Sequence, residues 1–88
     1  MFDLDTARRE LNCIDENMKK LFIRRMEIVK DIAIYKKANN LPTFDANREK
    51  EMKERLSCSL DDIKDYYLNF LEAILVESKK YQNDIKTK

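Results

Sequence analysis

The chain of 88 residues contains no glycine and no histidine, and it has a single proline. Without glycine, the sequence cannot form the glycine-rich loops that hold phosphates in P-loop and dinucleotide-binding proteins. Without histidine, it has no Ser-His-Asp triad and no zinc site of the usual mixed type. No apolar run approaches the roughly 20 residues that a membrane-spanning helix needs. We therefore expect no metal, no cofactor and no membrane partner.

Charge is abundant but balanced, with 40% charged residues and a formal net charge of +1. This balance argues against a nucleic-acid-binding arm or a polybasic membrane anchor. Cys13 and Cys58 are far apart in the sequence and form no CxxC pair, which is typical of free thiols in a reducing compartment. The opening "MFDLDTARRE" lacks the apolar core of a signal peptide. We expect one cytoplasmic domain that comprises residues 1–88.

The first part of the chain has the pattern of a long helix. Apolar residues recur there at heptad spacing in two companion series: Leu4, Leu11, Met18 and Ile32, and Ala7, Ile14, Leu21, Ile28 and Tyr35. This pattern predicts a helix from about Asp5 to Ala38 with a seam of the coiled-coil type. Asp3 or Asp5 is suited to cap its start, and "KKANNLP" is suited to end it.

Two shorter helices are expected after the proline. Asp45 is placed to cap a helix that ends near Leu56, and "SCS" interrupts the pattern after it. A third helix is predicted from Leu60 to about Ile85, with Ser59 and Asp62 as a weak capping box. Its apolar stripe comprises Ile63, Tyr67, Phe70, Ile74 and Tyr81. The sequence therefore predicts an all-α protomer of three helices.

The length of the first helix predicts a dimer. About 34 helical residues span about 50 Å, whereas a compact globule of this size has a radius of gyration near 12 Å. The chain cannot cover that seam by itself. A second copy would cover it, so we predict an intertwined all-helical homodimer.

Arg25 interrupts the first apolar series of the seam. A buried arginine is costly unless an anion or a hydrogen-bond acceptor meets it. Arg25 could instead reach solvent, or could fix the oligomeric state as polar seam residues do. Lys36 lies 11 residues later on nearly the same helical face, about 16 Å along the axis, so the two cations could share an anion. Arg8 lies about 25 Å from Arg25, so if both serve one kind of site, Arg8 must serve the copy that faces the partner chain.

Further polar groups fall on the faces that the other two helices should bury. Asp45, Arg48 and Glu49 share one face of the second helix, although a capped helix start with a surface ion pair would give the same pattern. Ser78 and Gln82 stand one turn apart where apolar residues are expected, unless the third helix frays there. Together these residues suggest a pocket for a small polyanion that carries a hydroxyl. Such a pocket could catalyse by positioning and electrostatics alone.

Three segments resemble one family over almost the full chain. They are "ARRELNCIDENMKKLFIRRMEIVKDIAIYK", "PTFDANREKE" and "LEAILVESKKYQ". The residues that carry the likeness are Arg8, Leu11, Ile14, Asp15 and Met18, then Pro42, Asp45, Arg48 and Glu49, and finally Glu77, Ser78 and Gln82. The chain resembles the all-helical chorismate mutases, the AroQ class.

The resemblance implies a cofactor-free enzyme of phenylalanine and tyrosine biosynthesis. It would convert chorismate to prephenate by a [3,3] Claisen rearrangement, in a dimer with two identical sites. The likeness assigns Lys36 and Gln82 to the ether oxygen whose bond to carbon breaks.

The same likeness assigns the binding residues. Arg25 and Arg48 would hold the carboxylates of chorismate, and Arg8 would come from the other subunit. Glu49 and Asp45 would hold the ring hydroxyl, and Ser78 would line the carboxylate end.

Two alternatives remain open at the level of the sequence. An isochorismate pyruvate-lyase shares the fold and a similar charged pocket, although Glu49 together with Gln82 favours the mutase. A non-catalytic helical dimerisation module would have the seam without the set of polar residues.

Overall fold

The computed structural model describes all 88 residues and contains three α-helices. Helix α1 comprises Leu4–Ala38, α2 comprises Ala46–Leu56 and α3 comprises Lys64–Lys86, with a 3₁₀ turn at Asp61–Ile63. There is no strand. The prediction of an all-α protomer with a very long first helix is confirmed.

The ends of α1 follow from local hydrogen bonds. Asp3 is the N-cap, and its carboxylate accepts hydrogen bonds from the amide of Asp5 and, at 2.6 Å, from the hydroxyl of Thr6. At the other end the side-chain amide of Asn39 donates to the carbonyl of Tyr35 at 2.9 Å. These contacts satisfy polar groups that the helix itself leaves unpaired.

Helix α2 begins as predicted, whereas α3 does not. The carboxylate of Asp45 accepts a hydrogen bond from the amide of Arg48 at 3.0 Å, as expected of an N-cap. The predicted capping box at Ser59 is wrong, because neither the 3₁₀ turn nor α3 has a side-chain cap. Ser59 has φ of 65°, in the left-handed region, whereas an N-cap needs extended backbone.

The absence of glycine leaves other residues to make the turns. Asn40, Ser59 and Asp61 all have positive φ, at 54°, 65° and 51°. Asparagine and aspartate tolerate this region because their short polar side chains form local hydrogen bonds. The connections are therefore defined by particular turns rather than by flexible glycine.

The core of the single protomer is small. Its buried apolar cluster consists of Met52 from α2 and Leu71 and Leu75 from α3. On α3, Phe70 of the predicted stripe is 49% exposed, whereas the neighbouring Leu71 is 4% exposed. The buried line on α3 runs through Leu71, Leu75, Ser78 and Gln82.

The first half of α1 is almost entirely exposed in the single chain. Leu11, Met18 and Leu21 are all exposed, Leu21 by 70%. The molecule measures 57 × 26 × 14 Å with a radius of gyration of 16.4 Å, against about 12 Å for a compact chain of this length. Most of the apolar seam is therefore uncovered in one protomer. None of the helices combines the length and the apolarity needed to cross a membrane.

Candidate active site

A pocket lies where the second half of α1, the start of α2 and the end of α3 meet. Its cavity volume is about 140 Å³, and it is open to solvent. Seven of the eight predicted site residues line it: Arg25, Lys36, Asp45, Arg48, Glu49, Ser78 and Gln82. Four apolar side chains complete the wall: Val29, Ile32, Met52 and Leu75. Of the predicted set, only Arg8 is elsewhere.

Arg25 is held in place by α3. Its guanidinium donates a hydrogen bond to the hydroxyl of Ser78, which in turn donates to the carbonyl of Ile74 at 2.8 Å. Burial, together with the nearby charge of Arg48, lowers the pKa of Arg25 from its usual range. Arginine remains protonated at neutral pH even so. Two neighbouring guanidinium groups form a natural site for a carboxylate.

Lys36 is anchored by the loop between α1 and α2. Its ammonium donates to the backbone carbonyl of Thr43 at 3.0 Å. The hydroxyl of Thr43 donates to the side-chain carbonyl of Asn83 at 2.8 Å, which ties the loop to α3. Because a lysine ammonium has three hydrogens, Lys36 keeps donors for a ligand.

Glu49 is the most buried carboxylate of the pocket and is paired with Lys79. The side chain of Glu49 is 13% exposed and that of Lys79 is 27% exposed. The ammonium of Lys79 lies 3.1 Å from one carboxylate oxygen and 3.4 Å from the other. This ammonium also lies 4.8 Å from the centre of the Phe44 ring, a cation–π distance.

Arg48 lies at the exposed rim of the pocket. Its guanidinium pairs with Glu51 at 3.1 Å, and Glu51 also accepts a hydrogen bond from Arg55 at 2.7 Å. The bond from Arg55, with the charges of both arginines, lowers the pKa of Glu51. The alternative interpretation of this segment, a capped helix start with a surface ion pair, therefore describes Arg48 and its exposed pair with Glu51. Exposed pairs of this kind are weak, so Arg48 can turn to an anionic ligand.

Gln82 is buried, yet its side-chain carbonyl oxygen has no hydrogen-bond partner. The alternative that α3 frays here is wrong, because the helix continues to Lys86. A buried amide oxygen without a partner costs about 1–3 kcal/mol. Such a group lining a pocket indicates a place where a ligand completes the hydrogen bonding.

Arg8 is exposed in the second turn of α1 and is remote from the pocket of its own chain. The 17 residues that separate it from Arg25 correspond to about 25 Å along the helix. Within one protomer the structure therefore does not bring Arg8 to the other predicted residues.

Sequence reasoning missed Lys79 and Thr43. Lys79 could have been found, because it shares a helical face with Leu75 and Gln82 at spacings of four and three. Thr43 could not have been found, because it binds Lys36 through its backbone carbonyl. Every residue has such a carbonyl, so the residue type carries no signal.

The charges of the pocket favour a small dianion. Four cations and two carboxylates line it, so its formal charge is +2. Nowhere in the molecule do three or more cysteine and carboxylate side chains gather as a metal site would require. Both cysteines are free and exposed, as expected. The arrangement can bind an anion and donate hydrogen bonds within an apolar wall.

Comparison with known proteins agrees with these features. The sequence model of the family described as chorismate mutase type II matches residues 7–83. A curated relative, the bifunctional chorismate mutase/prephenate dehydratase of Buchnera aphidicola subsp. Schizaphis graminum (strain Sg), is 42% identical over 55 residues. That alignment covers 62% of this chain but only 14% of the relative. No solved structure matches the chain. The chain belongs to the type II chorismate mutase family, as its sequence segments indicated.

Proposed function

We propose that the pocket binds chorismate and catalyses its rearrangement to prephenate without a cofactor, in phenylalanine and tyrosine biosynthesis. The observation that carries this proposal is the cationic pocket itself. It combines the half-buried Arg25, the anchored Lys36 and the buried Gln82, whose side-chain carbonyl oxygen has no partner. Chorismate is a dicarboxylate with a ring hydroxyl, which suits a pocket of formal charge +2 that also contains carboxylates.

Binding contributes by selecting a rare conformer of the substrate. The rearrangement requires a compact, diaxial form in which the two reacting carbon atoms approach one another. Arg25 and Arg48 clamp the carboxylates, and Ser78 fixes the guanidinium of Arg25 through its hydroxyl. Holding the reacting atoms close removes much of the entropic barrier of the step.

Lys36 and Gln82 contribute where the charge changes. As the carbon–oxygen bond lengthens, negative charge develops on the ether oxygen. The Lys36 ammonium and the Gln82 amide then donate more strongly than they do to the ground state, which lowers the barrier. The apolar wall strengthens both interactions by excluding water.

Glu49 and Asp45 hold the ring hydroxyl in this proposal. The Glu49 carboxylate is shielded from solvent and is a strong acceptor for a hydroxyl donor. Asp45 is exposed and already accepts from the amide of Arg48, so its part is at the mouth of the pocket.

The working unit that we propose is a homodimer in which Arg8 of each chain enters the partner's site. Support comes from the uncovered seam and from an apolar groove beside the pocket, whose wall includes Leu21, Phe22 and Phe70. The accessible surface of 7229 Å² exceeds the roughly 5,500 Å² expected of a compact chain of this mass. A second copy would cover this surface, and it would bring in a third arginine for the substrate.

The alternatives make different demands on the same pocket. A dimerisation module has no use for a half-buried arginine beside a buried, unpartnered amide, so the pocket argues against it. The isochorismate pyruvate-lyase reaction would use the same cations. Glu49 together with Gln82 favours the mutase.

Product analysis with the purified protein tests the proposal. Chorismate loss is followed by absorbance and the product is identified, with isochorismate offered in a parallel reaction. Prephenate from chorismate supports the mutase. Salicylate and pyruvate from isochorismate, without turnover of chorismate, would establish the lyase. Inactivity on both substrates would leave the dimerisation module.

A further inference from the structure

We propose that Lys79 is a positioning residue that holds the Glu49 carboxylate in the orientation needed to accept the substrate's hydroxyl. The inference rests on the proposed function, since it assigns the partner of a residue in that site. Neither the sequence motifs nor the family likeness pointed to Lys79.

Glu49 is isolated from water and from every side-chain donor except Lys79. Its side chain is 13% exposed, and the ammonium of Lys79 is the only side-chain group that donates to its carboxylate. A carboxylate so shielded from water needs a counterion to remain charged and in place. The other cations of the pocket are bonded elsewhere: Arg25 to Ser78, Lys36 to Thr43 and Arg48 to Glu51.

The geometry of the pair fixes the orientation of the Glu49 carboxylate. The Lys79 ammonium contacts both oxygens of Glu49, at 3.1 and 3.4 Å, so it constrains the plane of the carboxylate as well as its position. The lone pairs that Lys79 does not use remain available to a hydroxyl donor. Orientation of an acceptor matters because a misdirected hydrogen bond weakens steeply.

Lys79 is itself held in place by a second contact. Its ammonium lies 4.8 Å from the centre of the Phe44 ring. Phe44 belongs to the same loop as Thr43, whose carbonyl anchors Lys36. Lys79 therefore connects α3, the start of α2 and the loop, and a lysine restrained in this way can position its partner.

A double-mutant cycle tests the proposal, with Lys79→Met, Glu49→Gln and the double variant. Methionine keeps an apolar side chain against Phe44 but removes the charge. Because Glu49 contacts the hydroxyl in both the ground and transition states, we expect KM to rise about tenfold in Lys79→Met, the effect of one charge-assisted hydrogen bond. The value of kcat should change by less than about threefold.

The coupling between the two residues is the decisive readout. In the Glu49→Gln background, removal of Lys79 should change KM by less than about twofold, because a neutral amide needs no counterion. Lys79→Arg should retain most of the wild-type kcat/KM. The matched control is Lys80→Met, since Lys80 is the adjacent lysine and forms only an exposed pair with Glu77 at 3.2 Å. Equal effects of Lys79→Met in both backgrounds, or equal effects of Lys79→Met and Lys80→Met, would overturn the proposal.

Urea unfolding of the same variants, at one protein concentration, gives a readout that needs no substrate. Lys79→Met should lower the midpoint more than Lys80→Met does, and Glu49→Gln should restore part of the loss, because it removes the unpaired buried charge. A wild-type protein without turnover of chorismate would refute the proposed function. Unfolding effects that simply add would then still refute the dependence of Glu49 on Lys79.

Discussion

Gln82 combines two properties at the scale of the single residue: it is buried, and its amide oxygen lacks a partner. An amide is neutral at every ordinary pH, and it can present either its oxygen or its NH2 group to a ligand. In the proposed role its NH2 group donates to the developing charge of the ether oxygen, and this donor needs no proton from solution. The rearrangement should therefore gain little from acid.

Replacement Gln82→Glu should make the activity depend on pH. At pH 7 the introduced carboxylate would face the negative charge of the transition state, and we expect kcat to fall by about 10². Activity should return as the pH falls towards the ordinary glutamate pKa of about 4.3, because the protonated acid can donate again. Steady-state kinetics between about pH 4.5 and about pH 8, roughly the range in which proteins are most stable, measure this dependence.

The control for this replacement is Asn12→Asp, an amide-to-acid change at an exposed position of α1. It should follow the wild-type profile. Parallel pH profiles of wild type and Gln82→Glu would contradict the role of Gln82 as a donor.

At the scale of the helices, the sequence predicted the course of α1 and α2 to within one residue. Both helices begin after an aspartate cap, and α1 ends in cations and asparagines, which are local signals. The predicted start of α3 at Leu60 was wrong, because the backbone at Ser59 is left-handed and the α-helix begins only at Lys64. That turn depends on how the chain reverses direction between two helices, which no short pattern records.

An ion pair between α2 and α3 is a second feature at the scale of the helices. Lys53 and Glu72 form an ion pair at 2.8 Å between the two helices. The hydrogen bond with Glu72 raises the pKa of Lys53, and that with Lys53 lowers the pKa of Glu72. The pair stabilises the fold only while both groups are charged.

Removal of this pair by Lys53→Met should lower the free energy of unfolding in one pH window. Glu72 contributes stability above its ordinary pKa of 4.5 and loses it as the pH falls through the lower folded value. Lys53 contributes below 10.5 and loses it as the pH rises through the higher folded value. Urea unfolding at several pH values should show the wild type and the variant converging outside these limits.

The matched variant is Lys50→Met, since Lys50 is an exposed lysine of α2 that forms no ion pair. It should resemble the wild type throughout. A difference between wild type and Lys53→Met that is the same at every pH would exclude the ion pair as its cause.

At the scale of the whole molecule, α1 is too long for its own chain to cover. The proposed partner chain would cover the exposed seam and would receive the remote Arg8. The sequence could predict the uncovered helix from length alone. It could not locate the contact of Lys79 with Glu49, because that contact depends on the packing of α3 against α2.

Mixed dimers test this assembly. Arg8→Ala and Lys36→Ala are each expected to be nearly inactive as homodimers. If Arg8 serves the partner's site, a mixed dimer of the two variants contains one site with both residues intact. Unfolding and refolding the variants together in equal amounts should then restore about a quarter of the wild-type activity, given random pairing. An active Arg8→Ala homodimer, or an inactive mixture that contains the mixed dimer, would contradict the placement of Arg8 in the partner's site.

The turnover of chorismate by Lys36→Ala, measured beside Lys37→Ala, tests the central claim most directly. The two lysines are neighbours, but Lys36 lines the pocket while Lys37 is exposed and donates to the carbonyl of Lys88 at 2.8 Å. Electrostatic catalysis in this pocket predicts that Lys36→Ala lowers kcat by about 10²–10³, with Lys37→Ala close to wild type. Prephenate formation at the same rate in both variants and in the wild type would contradict it.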